Sequence, residues 1–137
     1  MDYYIKEFDK LQEEFHEVMH NYPLFNEDIK KIQDKDIKEL NELLSRNDEY
    51  YFKKAISKLK DLIYYVKDTS TKIKNEYSKF DKLAKEWDTI RLINVSESEL
   101  ASINDKVRKA NELIKKHDLN SLIEANKIME RLIKDNK

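Results

Sequence analysis

The string "HEVMH", His16 to His20, has the residue types and spacing of a zinc-hydrolase site. On a helix, His16 and His20 lie one turn apart on one face, where both rings would reach a metal. Glu17 between them would polarise a zinc-bound water. In one class of such enzymes the third ligand is a glutamate on the following helix, and Glu42 of "LNELLS" lies 22 residues beyond His20. A catalytic reading would therefore assign His16, His20 and Glu42 to the metal and Glu17 to the base.

Three features weigh against it. Such enzymes seat extended substrate on a β-strand beside the metal, and no stretch of this chain reads convincingly as a strand. Asn-Glu-Leu recurs at Asn111 to Leu113, with Asp88 and Leu92 in place of the histidines, so a repeat accounts for Glu42 without a metal. His16 and His20 flank a core-facing Val18–Met19 pair, an ordinary place for solvated histidines. No other constellation competes. The chain has no Cys for a thiol nucleophile or thiolate metal site, and no Gly for a phosphate-cradling loop. Its 28 acids are spread too evenly for one pair to stand out. The sequence favours a protein with no catalytic residues, no metal and no cofactor.

The elements that must position any site are helices. Zero Gly and one Pro in 137 residues remove the usual positive-φ residues of hairpins and bulges. Charged residues make up 40% and apolar ones 39%, carried mostly by helix-favouring Lys, Glu, Leu and Ile. Apolar residues recur at steps of three and four. They predict a first helix from Tyr4 to Met19, ended at Pro23, and a second from an Asn26 cap through Leu44. A third runs from an Asp48 cap through Val66, broken by "DTST" at Asp68 to Thr71. The fourth spans Ile73 to Ile90, the fifth opens on a Ser96/Glu99 capping box, and the sixth follows an Asp118 cap.

Three helices followed by three more suggest duplication. At a shift of 70, Asn41, Glu42, Leu43, Asp48, Ala55, Leu62 and Ile63 fall on Asn111, Glu112, Leu113, Asp118, Ala125, Leu132 and Ile133. At a shift of 72, "FDKL" at Phe8 falls on "FDKL" at Phe80, and Phe15 on Trp87. The two-residue difference is assigned to the loop between the first and second helices. The expected fold is thus all-α, a six-helix bundle of two tandem three-helix repeats, 2–67 and 70–136, within one domain spanning 1–137.

With 27 Lys and Arg against 28 Asp and Glu, the chain lacks the field that draws a phosphate backbone, so nucleic acid is not favoured as a partner. No segment approaches the ~18 apolar residues of a membrane span, and no leader is recognisable, which suits a cytoplasmic protein. The best candidate surface is the third helix, where Tyr50, Tyr64 and Tyr65 with Lys53 and Lys54 would grip a protein partner. A tyrosine-edged bundle with a solvated lysine face is the plainer reading of the same residues. The lysines of that face would alternatively dock an inhibitor or adaptor onto a nucleic-acid machine.

The pattern "NELxxxxD" followed by an apolar residue, Ala and "LxxLI" is similar to the α-helical C-terminal region of divergent bacterial heat-shock chaperones of the seventy-kilodalton class. The matching stretches are Phe8–Phe15 with Leu40–Ile63, and Phe80–Trp87 with Ala110–Ile133. The ATPase domain and substrate-gripping β-sandwich of that family are absent, so neither activity carries over. The resemblance implies a helical lid or docking module, either a fragment of a larger protein or a stand-alone relative.

Overall fold

The computed structural model describes residues 1–137, and all regular structure in it is helical, with no strand. Helix α1 (Asp2–Asn21) buries Phe8, Phe15 and Val18 on one stripe. It stops short of Pro23, which lacks the N–H needed to continue a helix and restricts the residue before it. Helix α2 (Asn26–Lys31) runs through a π-helical segment (Ile32–Ile37) into α3 (Lys38–Ser45) as one continuous helix. Phe25 rather than Asn26 occupies its N-cap, and no side chain caps it. Helices α4 (Glu49–Asp88), α5 (Glu97–Ile114) and α6 (Leu119–Asn136) complete the chain. No helix is long and apolar enough to cross a membrane.

The chain therefore makes five continuous helices where six were expected, because Asp68 to Thr71 do not break α4. Asp, Ser and Thr each cost at most about 0.7 kcal/mol in a helix interior, far less than Gly or Pro. Thr71 also turns its competing hydroxyl inward, Oγ1 donating to the Lys67 carbonyl at 2.8 Å. Thr69 and Ser70 are buried, between Val66 and Ile73, which are 0% and 6% exposed. Burying two such apolar side chains is worth about 1.5–3 kcal/mol each, enough to hold the helix through the polar run. Ser70 Oγ has no hydrogen-bond partner, a local cost that this burial offsets.

The π-helical segment answers a detail of the sequence. Ile32 and Ile37 are five residues apart, too far for one α-helical turn to keep them on one face. A π turn, closed by i→i+5 bonds, absorbs the extra residue. Ile32 is buried and Ile37 packs against the same core.

Contacts divide the chain into two compact units, Met1–Thr71 and Lys72–Lys137, with the boundary inside α4. The first unit is built on Phe8, Phe15, Val18, Ile32, Leu40, Ala55, Leu59, Leu62 and Val66, with Phe52 edge-on to Phe8 at 6.3 Å between ring centroids. The second is built on Ile103, Ala110, Leu113, Ala125, Met129 and Leu132, with Phe80, Leu83 and Trp87 packed against them. Leu100, placed on the apolar stripe of α5, is exposed. Buried Asn126 donates through Nδ2 to the Glu76 backbone carbonyl at 2.9 Å and to the Glu76 carboxylate, tying α6 to α4 within this unit.

Because the chain lacks Gly, its left-handed turn positions fall to Asn47, Asn94 and His117, with φ of 48°, 58° and 56°. Asn is among the residues that enter this region at least cost. Each of the first and third turns then presents an aspartate to the next helix. Asp48 Oδ1 accepts from the Tyr50 N–H at 2.9 Å, and Asp118 accepts from the Ser121 N–H and hydroxyl, both at 2.8 Å. Ser96 Oγ accepts from the Glu99 N–H at 3.2 Å, forming that half of the capping box.

The Ser121 backbone N–H, then its hydroxyl, hold the Asp118 carboxyl below its ordinary 3.8. A group with a depressed folded pKa contributes stability above its unfolded value and loses it as pH falls through the folded one. Asp118→Ala should therefore cost about 1 kcal/mol in urea unfolding near neutral pH. The gap between variant and parent should close as pH falls below 3.8.

Candidate functional site

The cap at Asp48 fixes where α4 starts and so which side of its first turns faces out. Tyr50 is 56% exposed and meets Tyr51 edge-on, 5.2 Å between centroids. Lys54 Nζ lies 4.6 Å above the Tyr50 ring, and the Arg46 guanidinium 4.8 Å above Tyr51. Lys53 Nζ lies 5.3 Å over the Tyr4 ring of α1 and 3.7 Å from Glu49. These cation–π contacts lay the lysine stems along the aromatic faces while leaving the ammonium groups wet. Tyr64 is 70% exposed. It follows Tyr50 by 14 residues, about four turns, so the two project from the same side of α4 about 21 Å apart.

Tyr65 differs from its neighbour. It packs against the first core, donates from its hydroxyl to Asp28 Oδ1 at 3.3 Å, and has Lys31 Nζ 5.5 Å from its ring centroid. Burial pushes its phenol pKa up, and the nearby Asp28 carboxylate adds to that. Of the three candidate tyrosines, Tyr50 and Tyr64 are exposed, while Tyr65 ties α4 to α2.

Beside this face lies a groove of about 470 Å³ whose lining includes Lys31, Lys35, Asp36, Lys54, Ser57, Lys58, Asp61 and Tyr65. The π-helical segment supplies Lys35 and Asp36. Lys58 Nζ sits 2.7 Å from Glu39 Oε2 and 3.3 Å from Asp36 Oδ1. The hydrogen bond to Glu39 raises Lys58 above 10.5, and the same bond holds Glu39 below 4.5. Both carboxylates are spent on Lys58, so Lys31, Lys35 and Lys54 line the groove without a salt bridge. Of the groove residues, Lys54 and Tyr65 were candidate binding residues from sequence, Lys58 a lysine of the same face and Leu62 a core position. The signals that point to the rest are the five-residue step from Ile32 to Ile37 and the acids at Asp36 and Glu39.

His16, Glu17 and His20 are exposed on α1, and Glu42 is exposed on α3. No three His, Asp or Glu side chains come together as a metal-ligating group, so His16, His20 and Glu42 are not assembled into one. His16 lies tilted beside Phe15, 6.3 Å between ring centroids.

In Lys58→Met the donor that lowers Glu39 is gone. A carboxyl-detected NMR titration should show Glu39 moving up towards 4.5, and an unchanged value would mean that Lys58 does not hold it.

No family model, curated protein or solved structure matches this chain.

Proposed function

We propose that this chain is a non-catalytic helical module that binds another protein, built by tandem duplication of one three-helix unit. Several correspondences support the duplication. At the shift of 70, the left-handed residues Asn47 and His117 coincide, as do the capping residues Asp48 and Asp118. Ala55 and Ala125 are both 0% exposed, and Leu59, Leu62 and Ile63 match Met129, Leu132 and Ile133, all buried. Phe8, Leu11 and Phe15 serve the first core as Phe80, Leu83 and Trp87 serve the second. Where the first unit spends five residues from Ile32 to Ile37, the second spends four from Ile103 to Val107. The π turn thus accounts for one of the two extra residues of the first unit, and the inter-helix loop for only the other.

The observation that carries the functional reading is the pair of exposed tyrosines, Tyr50 and Tyr64, on one side of α4. Tyrosine supplies a large, stiff, amphipathic contact area, and solvent-exposed copies on a helix suit a protein interface. The surrounding charges alternate in sign, with Glu49 and Asp61 among Lys53, Lys54 and Lys60. Such a face offers no continuous track for phosphates and suits a partner of mixed charge. The mode of action is that of a scaffold, and the resemblance in sequence pattern makes a chaperone-associated lid or docking region its natural setting.

Both tyrosines can be truncated without touching either core. A Tyr50→Ala/Tyr64→Ala variant should keep parental helicity by circular dichroism and lose co-purifying partners at least about tenfold, as expected for interface aromatics. Undiminished capture would overturn the assignment of this face. About one zinc per untagged chain, removed by His16→Ala/His20→Ala, would overturn the non-catalytic reading.

A further inference from the structure

We propose that the groove between α5 and α6 of the second unit binds an amphipathic, acidic peptide segment of a partner protein. The proposal rests on the reading above, a duplicated interaction module, and specifies which chemistry the second unit recognises. This groove, of about 290 Å³, is lined by Lys106, Lys109, Ile128, Arg131, Leu132 and Asp135. At the shift of 70, five of these fall on Asp36, Lys58, Asp61, Leu62 and Tyr65, all of which line the groove of the first unit. The sixth, Lys109, falls on Glu39, the strongest partner of Lys58. The two units carry the same groove at the same place.

The lining has been rewritten. In the first unit Lys58 lies in the groove and is neutralised by Asp36 and Glu39. In the second, Ile128 takes the place of Lys58, and Lys106 and Lys109 take the places of the two acids. Arg131 replaces Asp61. The floor becomes apolar, formed by half-buried Ile128 and buried Leu132, and three cations stand around it. Lys109 reaches Glu124 only at 3.9 Å, both ends more than half exposed, a pair weakened by solvent. Lys106 and Arg131 form no salt bridge.

Where the first groove is satisfied internally, the second leaves Lys106 and Arg131 unpaired, Lys109 only weakly paired and its apolar floor uncovered. The complementary occupant carries an apolar side chain for the floor and carboxylates one turn either side. Lys106 and Lys109, three residues apart on α5, present one cationic edge, and Arg131 on α6 presents the other. Asp135 repels a carboxylate at its end of the slot and sets the register of the bound segment. A nucleic-acid strand would satisfy the cations and leave the floor uncovered, and no aromatic side chain lines the slot for a base to stack on.

The test uses the full chain and a fluorescein-labelled helical peptide of about four turns, with Leu and Glu at helical spacing. Fluorescence anisotropy at low salt should show binding tighter than about millimolar, weakening as salt rises. Lys106→Gln/Arg131→Gln should weaken it at least about tenfold, and Ile128→Asp should abolish it. Lys6→Gln/Lys10→Gln in the first unit should leave it unchanged. All these residues except Ile128 are exposed, so matching circular dichroism and melting curves are expected for both paired variants. No binding by the parent, equal binding by Lys106→Gln/Arg131→Gln, or displacement of the peptide by an oligo-dT strand would overturn the proposal. Partner capture that depends on Tyr50 and Tyr64 but is indifferent to Lys106 and Arg131 would overturn this groove and leave the interaction module standing.

Discussion

A chain without glycine has to end its helices with side chains, and that constraint sets much of this structure. At Asn47 and His117 the backbone enters the left-handed region, and the next residue in each case is an aspartate that caps the following helix. The turn and cap act together, since the left-handed residue frees the chain from one helix while the carboxylate satisfies the opening N–H groups of the next. Fixing the first residue of α4 and α6 fixes the angular position of every residue after it. Ala55 and Ala125, seven residues past their caps, are consequently both fully buried. The same arithmetic turns Tyr50 outward and brings Lys58 into the groove.

Features governed by local chemistry were legible in the sequence. The apolar periodicity places the helices, Pro23 ends the first, and the aspartate caps stand where expected. Features settled by burial were not. "DTST" has the composition of a break, yet Val66, Ser70 and Ile73 are buried and the helix continues through it. Propensity differences of a few tenths of a kcal/mol per residue lose to apolar burial several times larger. The π turn was legible only in hindsight. A five-residue step between isoleucines can be read as a loop or a skipped core position, and only the burial of Ile32 decides that it is a widened turn.

The candidate surface divides along the same line. Exposure of Tyr50 and Tyr64 follows from counting along α4 from its cap. Tyr65, one residue further, is held by Asp28 of α2, a contact that spans 37 residues of sequence and leaves no local trace. The ion cluster of Lys58 with Asp36 and Glu39 is similarly non-local, joining α4 to the π segment and to α3. In a chain this rich in charge, sequence alone does not say which of many acids meets which lysine.

That cluster and the apolar slot at Ile128 line the spaces between packed helices in two different ways. A lysine drawn between two carboxylates keeps the groove of the first unit occupied from within, at a desolvation cost that the geometry must repay. The slot of the second unit has Ile128 on its floor and carries no such cost. Lys106, Lys109 and Arg131 outnumber Asp135 there, so the lining is not neutral in itself. The pocket stays cationic around an apolar floor, an arrangement with little to contribute to folding. The cluster of Lys58 and the core beside it lie wholly within Met1–Thr71, and the slot at Ile128 draws on neither.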